Sequence, residues 1–179
     1  ALIESNGDFE SAIDYLRKKG QKVAANRSDR EAKEGVVIAK ANADNTYGIV
    51  VTLSSETDFV AKNEDFIAFA QQIADIALAT KSTTVDELKA AKMDNATIDE
   101  KLMEVVAKIG EKIEISRFEQ ITAPAVFPYI HSGYRIGVLV GLNQPATADI
   151  LAAGRDVAMQ IAAMNPLAVD SDNVPEETV

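Results

Sequence analysis

The chain has 179 residues, 47% of them apolar, which is enough for one large domain or two small ones around a sizeable core. It carries 28 acidic and 18 basic residues, and the net charge of −10 argues against binding nucleic acid or anionic membranes, since both need a clustered basic face. The absence of cysteine excludes disulfides, thiol nucleophiles and thiolate zinc sites, and one histidine cannot build a metal cluster.

The first 34 residues predict one short helix and a polar connection. Residues 8–19 form the helix, with Asp8 as its cap and Gly20 as its stop. Its apolar face consists of Phe9, Ala12, Ile13 and Leu16. Because twelve residues cannot bury such a face alone, the helix needs additional partners or must dock elsewhere on the chain. The dense charges of residues 21–34 predict a linker that is partly helical.

A β-hairpin is predicted next. Residues 36–40 form its first strand, residues 44–45 its turn and residues 47–53 its second strand. The second strand alternates apolar residues onto one face: Tyr47, Ile49, Val51 and Leu53.

Three helices follow the hairpin. The first spans residues 64–79, with Asn63 as its cap and apolar residues at three-and-four spacing. Capping boxes at Thr84–Glu87 and Thr97–Glu100 start a helix over 85–91 and a longer one over 98–109, which Gly110 ends.

The last third of the chain predicts strands and a final helix. Residues 112–121 form a bulged strand, and residues 136–142 a strand with two glycines on one face, which permits close approach of another element. Residues 148–164 are helical, and residues 171–179 form an acidic tail. Since strands and helices do not alternate one for one, we predict an α+β fold, with a small antiparallel sheet packed against helices on one face.

The segment from Thr57 to Ala61 stands out between the hairpin and the next helix. There an apolar strand runs into an acid, Asp58, and a phenylalanine, Phe59. A phenylalanine in a tight strand-to-helix turn is exposed unless something covers it, so the pair suggests a contact for a partner. For an isolated Asp-Phe pair the ordinary interpretation is a turn cap and a core residue.

Other residues have ordinary structural interpretations. His131, which precedes a buried strand, is by default a hydrogen-bonded structural histidine. Ile109 and Gly110 are by default a helix end with an apolar anchor. No phosphate loop, nucleophile elbow or zinc-protease motif is present, so the sequence argues against an enzyme. A hydrolase that uses a pair of carboxylates stays open as an alternative.

Five stretches of the sequence together resemble bacterial elongation factor Ts, and they cover nearly the whole chain. The stretch Thr57-Asp-Phe-Val-Ala-Lys-Asn-Glu-Asp-Phe is similar to the family's T-D-F-V-A-[KR]-N signature. The others agree in order and spacing: Asn6-Gly-Asp-Phe-Glu-Ser-Ala-Ile with Leu16-Arg-Lys-Lys-Gly, Val106-Ala-Lys-Ile-Gly-Glu-Lys-Ile, Tyr129-Ile-His with Arg135-Ile-Gly-Val-Leu-Val, and Val157-Ala-Met-Gln-Ile-Ala-Ala-Met-Asn-Pro.

The resemblance implies a domain organisation. Residues 1–20 would be the end of an N-terminal ubiquitin-associated-type helical domain, 21–34 a charged linker, 35–170 the N-terminal core subdomain and 171–179 the tail. The family's first two helices and its second core half have no counterpart here, so we expect the chain to be a fragment.

The resemblance also implies a function. Family members release GDP from the GTPase elongation factor Tu, act in the cytoplasm, and need no cofactor or metal of their own. Phe59 would insert into the GTPase, Asp58 would act near its Mg²⁺, and Thr57 and Val60 would shape the turn. Further partner contacts would come from three residues: Ile109, Gly110 and His131. A homo-oligomer stays open, and the alternative function is a non-catalytic adaptor of ubiquitin-associated type, which rests on residues 6–20 alone.

Overall fold

The computed structural model describes residues 1–174, which form six α-helices and seven strands. The helices are α1 (Phe9–Asn26), α2 (Asp58–Ala61), α3 (Glu64–Thr80), α4 (Val85–Ala90), α5 (Ile98–Ile109) and α6 (Ala148–Met164). The strands are β1 (Glu34–Ala41), β2 (Tyr47–Ser55), β3 (Lys92–Met93), β4 (Ala96–Thr97), β5 (Glu114–Thr122), β6 (Ala125–His131) and β7 (Ile136–Leu142). The predicted α+β class is confirmed.

The main core lies between helices and a three-stranded antiparallel sheet in the order β1-β2-β5. The alternation of β2 puts three residues, Ile49, Val51 and Leu53, on one buried face. The apolar stripe of α3 packs against that face and α5 contributes to the same core, with Phe66, Ile73, Leu102 and Val106 fully or almost fully buried. The bulge predicted in the third strand is confirmed, because the β2–β5 register shifts between Thr52 and Leu53.

The other face of this sheet is covered by the β6–β7 hairpin. A Cβ at Gly137 would overlap the Val37 side chain, so this glycine lets the hairpin approach the sheet closely. Val138 and Val140 point the opposite way and form a second, smaller core with Ala158 of α6. The two glycines of β7 predict that another element approaches this strand closely. In the structure that element is the main sheet.

The sequence interpretation missed β6. Pro128 cannot donate a hydrogen bond, which argues against a central strand, but a proline is tolerated in an edge strand. β6 lies at the edge of the two-stranded sheet with β7, where Pro128 is opposite Leu139. Tertiary placement therefore overrode the local signal.

The prediction that the first helix stops at Gly20 is wrong. α1 continues to Asn26, and Gly20 is buried where α1 crosses α5. A Cβ there would lie inside the radius of the Met103 carbonyl oxygen. The contact outweighs the roughly 1 kcal/mol that a glycine costs in a helix interior relative to alanine.

The end of the described chain is a short 3₁₀ helix, Ser171–Asn173. The predicted acidic tail therefore lies only partly within the described residues, and its last five positions are outside them. Within residues 1–174, every helix is too short or too polar to cross a bilayer.

Candidate partner-binding site

Phe59 lies on α2, a four-residue helix that connects the sheet to α3. Ala61 is buried at 8% exposure, and Val60 packs against the main core. Positions two residues apart on a helix differ in direction by about 200°. Burying Ala61 therefore turns Phe59 outward, and its residue exposure is 84%. The exposure expected for a partner contact is present in the structure.

Thr57, the residue before α2, is held by a carboxylate far away in sequence. Its hydroxyl donates to Glu111 Oε1 at 2.7 Å, and its backbone N–H donates to Glu111 Oε2 at 3.1 Å. The backbone N–H of Glu56 also donates to Oε2, at 3.1 Å. The start of the turn is thus fixed to the segment that follows α5.

Glu56 completes a reciprocal arrangement with this segment. Its carboxylate accepts the Lys112 backbone N–H at 2.6 Å, and Arg27 Nη1 lies 2.8 Å from both of its oxygens. The Lys112 N–H, followed by the Arg27 guanidinium, holds the pKa of the Glu56 carboxyl below its usual value. We call the four residues Glu56, Thr57, Glu111 and Lys112 the carboxylate clasp.

Asp58 is a charged group at the surface beside Phe59. Lys62 Nζ donates to its carboxylate at 2.6 Å, and this bond, with a smaller contribution from the charge of Arg135, lowers the Asp58 pKa. Asp58 is therefore ionised at neutral pH, and its side chain remains 39% exposed.

A cleft of about 450 Å³ lies next to Phe59, between α2, the start of α3 and the end of α5. Val60 and Ile109 lie in its lining together with Phe59. Gly110 ends α5 in the left-handed conformation at φ 82°, ψ 14°, as the sequence predicts for a C-cap. The structure thus brings the Thr57–Val60 turn and the end of α5 together.

His131 lies apart from this cleft, at the end of β6. Its Nδ1 is 2.8 Å from the Tyr129 hydroxyl, and its side chain is exposed. The turn after it lies at the same end of the main sheet as α2, because Tyr134 O accepts from Val37 N and Arg135 pairs with Glu34 at 3.5 Å.

Sequence reasoning missed the clasp, although one signal for it exists. Glu111 comes immediately after the C-terminus of α5, where the helix dipole disfavours a negative charge. An acid in that position needs compensating donors. Its partners at positions 56 and 57 are more than fifty residues away, so only the fold identifies them.

The hydrolase alternative gains no support from the cleft. Two carboxylates line it, but Glu111 already accepts three hydrogen bonds from Glu56 and Thr57, and Asp65 is 86% exposed and pairs with Lys108 at 3.6 Å. Among residues 1–174, no group of three His, Cys, Asp or Glu side chains could hold a metal ion.

Comparison with known proteins identifies the family. The family model described as Elongation factor TS matches residues 56–179, which is more than half of the chain and includes the turn, the clasp and His131. The chain belongs to the elongation factor Ts family. The resemblance seen in the sequence is thereby confirmed.

Curated elongation factor Ts proteins extend the match across the whole chain. The protein from Flavobacterium psychrophilum is 50% identical over 179 residues, which is 100% of this chain and 64% of that protein. The protein from Amoebophilus asiaticus is 48% identical over 97% of this chain and 63% of its own length. The protein from Rhodopirellula baltica is 45% identical over 100% of this chain and 54% of its own length.

The chain therefore spans less than two thirds of the length of these elongation factor Ts relatives. The division into residues 1–20, 21–34, 35–170 and 171–179 stays a prediction. The continuous helix α1 runs across the first of these boundaries.

Proposed function

We propose that this chain acts as a guanine-nucleotide exchange factor in translation elongation, which binds elongation factor Tu with GDP and promotes GDP release in the cytoplasm. No covalent bond is made or broken. The factor binds the nucleotide-free GTPase better than the loaded one, and by linkage its binding weakens nucleotide binding by the same factor. Family membership and curated relatives named elongation factor Ts support this proposal.

The exposed ring of Phe59 is the observation that carries the proposal. Covering a phenylalanine contributes about 1.5–3 kcal/mol, and aromatic rings lose little rotamer entropy when they are buried in a partner. The ring extends from a short helix whose opposite side is anchored in the core by Ala61. This geometry supports insertion of Phe59, as a wedge, between two helices of the GTPase.

Asp58 supplies the electrostatic part of the mechanism. Its pKa is lowered from an already acidic value, so the group is charged at neutral pH, and it lies directly before the wedge. A carboxylate brought near the Mg²⁺ side of the nucleotide site disturbs the octahedral shell through which the ion holds GDP. Lys62 would have to release this carboxylate, or move with it, when the partner binds.

The remaining contacts widen the proposed interface. Ile109 and Gly110 present the end of α5 to the same domain of the GTPase, next to the cleft beside Phe59. His131 lies at the same end of the main sheet and would contact a neighbouring helix of the GTPase. Thr57 and Val60 shape the turn and hold α2 against the core.

The test measures release of fluorescent GDP from elongation factor Tu with increasing amounts of the chain. The Phe59→Ala variant is expected to lower the release rate at saturating factor by about tenfold, as for a hot spot of ~1–3 kcal/mol. Phe9→Ala is the matched control, because Phe9 is also exposed, at 70%, but lies on α1. Saturation is needed because the chain spans less than two thirds of its relatives.

An unchanged release rate in the Phe59→Ala variant would contradict the wedge. The control also addresses the alternative function, an adaptor of ubiquitin-associated type that rests on residues 6–20. If Phe9→Ala lowered the GDP release rate as much as Phe59→Ala does, α1 would have to be part of the binding surface.

A further inference from the structure

The geometry points to Glu111 as a positioning residue: we propose that its carboxylate presets the Thr57–Val60 turn in the free protein and thereby sets the rate of GDP release. This inference rests on the proposed function and assigns a role to a residue outside the wedge. Glu111 belongs to the segment after α5, whereas Phe59 follows β2, so the bond couples two parts of the interface that the sequence separates.

The base of the turn carries hydrogen-bond donors of the backbone and of the Thr57 hydroxyl. The N–H groups at the start of a helix have no partners within the helix, and a threonine cap normally accepts from one of them. Here the Thr57 hydroxyl is directed to Glu111 instead, as a donor. The turn is therefore held by a carboxylate from another element, and its orientation depends on that carboxylate.

Glu111 is itself held in place by the residues next to it in the chain. Gly110 in its left-handed conformation reverses the chain after α5 and directs the next residue back towards β2. The Lys112 N–H then donates to Glu56, so residues 56–57 and 111–112 hold each other through two carboxylates. Lys112 Nζ also donates to two carbonyl groups after α1, those of Ser28 and Arg30, at 3.2 and 3.1 Å.

The rigidity of the turn matters for nucleotide exchange, because α2 is very short. α2 has four residues and cannot hold its own conformation in water. A wedge that is ordered before binding does not lose conformational entropy when it displaces the partner's side chains. Without Glu111, Phe59 would still be exposed but would sample many directions. Because this ordering cost falls on the step in which the ring inserts, the release rate at saturating factor should fall when Glu111 is removed.

The chemistry of the three bonds provides a stringent variant pair. Glu111→Ala removes every acceptor. Glu111→Gln keeps one oxygen for the two backbone N–H groups, and its amide N–H can donate to the Thr57 hydroxyl, which reverses the third bond. If position matters and charge does not, glutamine should restore function, whereas alanine should not.

The experiment combines hydrogen exchange of the 179-residue chain with release of fluorescent GDP from elongation factor Tu. In Glu111→Ala, amide exchange at Glu56 and Thr57 is expected to be about tenfold or more faster, since each lost bond contributes up to about a factor of ten. Exchange at Ile38 and Val51, in the core of the main sheet, should be unchanged. A purely global loss of stability would accelerate all four amides equally.

The release rate at saturating factor should fall about tenfold in Glu111→Ala and stay within about twofold in Glu111→Gln. Glu119→Ala, at an exposed glutamate of β5, is the control and should behave like the wild type. If the alanine variant does not fold, Thr57→Val removes one of the three bonds and should lower the rate about threefold.

Two results would overturn the inference: unchanged exchange at Thr57 in Glu111→Ala, or a glutamine variant as impaired as the alanine variant. Failure of the proposed function looks different. A wild-type chain that leaves GDP release unchanged at every concentration would overturn that function, while amide exchange would still decide whether Glu111 holds the turn.

Discussion

Two exposed phenylalanines of this protein are held in opposite ways. Phe9 begins α1 and depends on a local cap, in which the Asp8 carboxylate accepts from Ser11 N at 2.7 Å. Phe59 depends on bonds to Glu111, which is 54 positions beyond Thr57. Exposure alone therefore does not distinguish the two rings. They differ in how much of the fold is used to orient them.

The helices that carry the two rings also differ. α1 docks on α5 along its length, with Arg17 bonded to Glu104 at 3.0 Å and close to Glu100 at 3.4 Å. Ile13 and Leu16 are therefore only partly exposed, and the helix docks on the chain itself, which was one of the two outcomes expected from the sequence. Phe9 stays outside that contact at 70% exposure.

The largest effect is expected from Gly20→Ala, which should loosen the contact between α1 and α5 and affect the turn at Phe59 much less. The new Cβ would overlap the Met103 carbonyl, which is backbone and cannot rotate away. We expect a loss of about 1–3 kcal/mol in the free energy of unfolding, partly offset by the better helix propensity of alanine. Urea unfolding measures this change.

The control for that prediction is Lys19→Ala, at the exposed neighbouring position, which should change stability by less than about 0.5 kcal/mol. Amide exchange at Thr57 should change much less than exchange along α1, because Glu111 holds the Thr57 N–H and, within residues 1–174, only Arg27 connects the end of α1 to Glu56. An equal acceleration along α1 and at Thr57 in Gly20→Ala would show that the two regions are not independent.

A somewhat smaller effect is expected from Gly110→Ala, which acts on the region of Phe59. Within residues 1–174 a Cβ at this position meets nothing within 4 Å, so the cost is conformational, at φ 82°. A left-handed alanine costs about 1–2 kcal/mol. Asparagine tolerates this conformation better, so Gly110→Asn should lose less stability than Gly110→Ala. Equal losses in urea unfolding would contradict a backbone origin.

The smallest effect is expected from a change of pH, which acts on the free energy of unfolding through the Glu56 carboxyl. Its pKa is lowered in the folded protein from about 4.5, so it contributes stability that is fully present above that pH and is lost as the pH falls through the lowered value. Between about pH 5 and pH 3, the free energy of unfolding should fall less steeply in Glu56→Gln than in the wild type.

A companion variant compares the two regions under acid. Asp8 also has a lowered pKa, because it accepts from Ser11, but asparagine caps a helix equally well. In the wild type, acid should lower the protection of the Thr57 amide, measured relative to an unstructured peptide at the same pH, through Glu56. Asp8→Asn should leave that loss of protection unchanged, whereas Glu56→Gln should reduce it. An equal response in both variants would show that the acid dependence is not local.

Much of the fold could be predicted from residue patterns. The helix over 98–109 and the strand over 136–142 have the bounds that capping boxes and alternation indicate, because these signals act within a few residues. The prediction that Gly20 stops a helix is wrong for the same reason. Glycine has a strong local preference, and packing against α5, a distant element, overrode it.

The candidate site divides in the same manner. The sequence identified the candidate site residues, because a family signature is a local pattern. They are the turn from Thr57 to Val60, Ile109, Gly110 and His131, and their partner-binding roles stay predictions. Glu111 is unusual locally, because it is an acid at a helix C-terminus. Its role becomes clear only from the fold, which places residues 56 and 57 beside it.

The sequence by itself determined the family, the fold class and the presence of an aromatic side chain in a strand-to-helix turn. Only the tertiary structure decided that Phe59 is exposed, that α1 runs through Gly20, and that two carboxylates clasp the turn. The physical reason is the range of the forces involved. Periodicity and caps act over a few residues, whereas burial and hydrogen bonds between elements act between positions that only folding brings together.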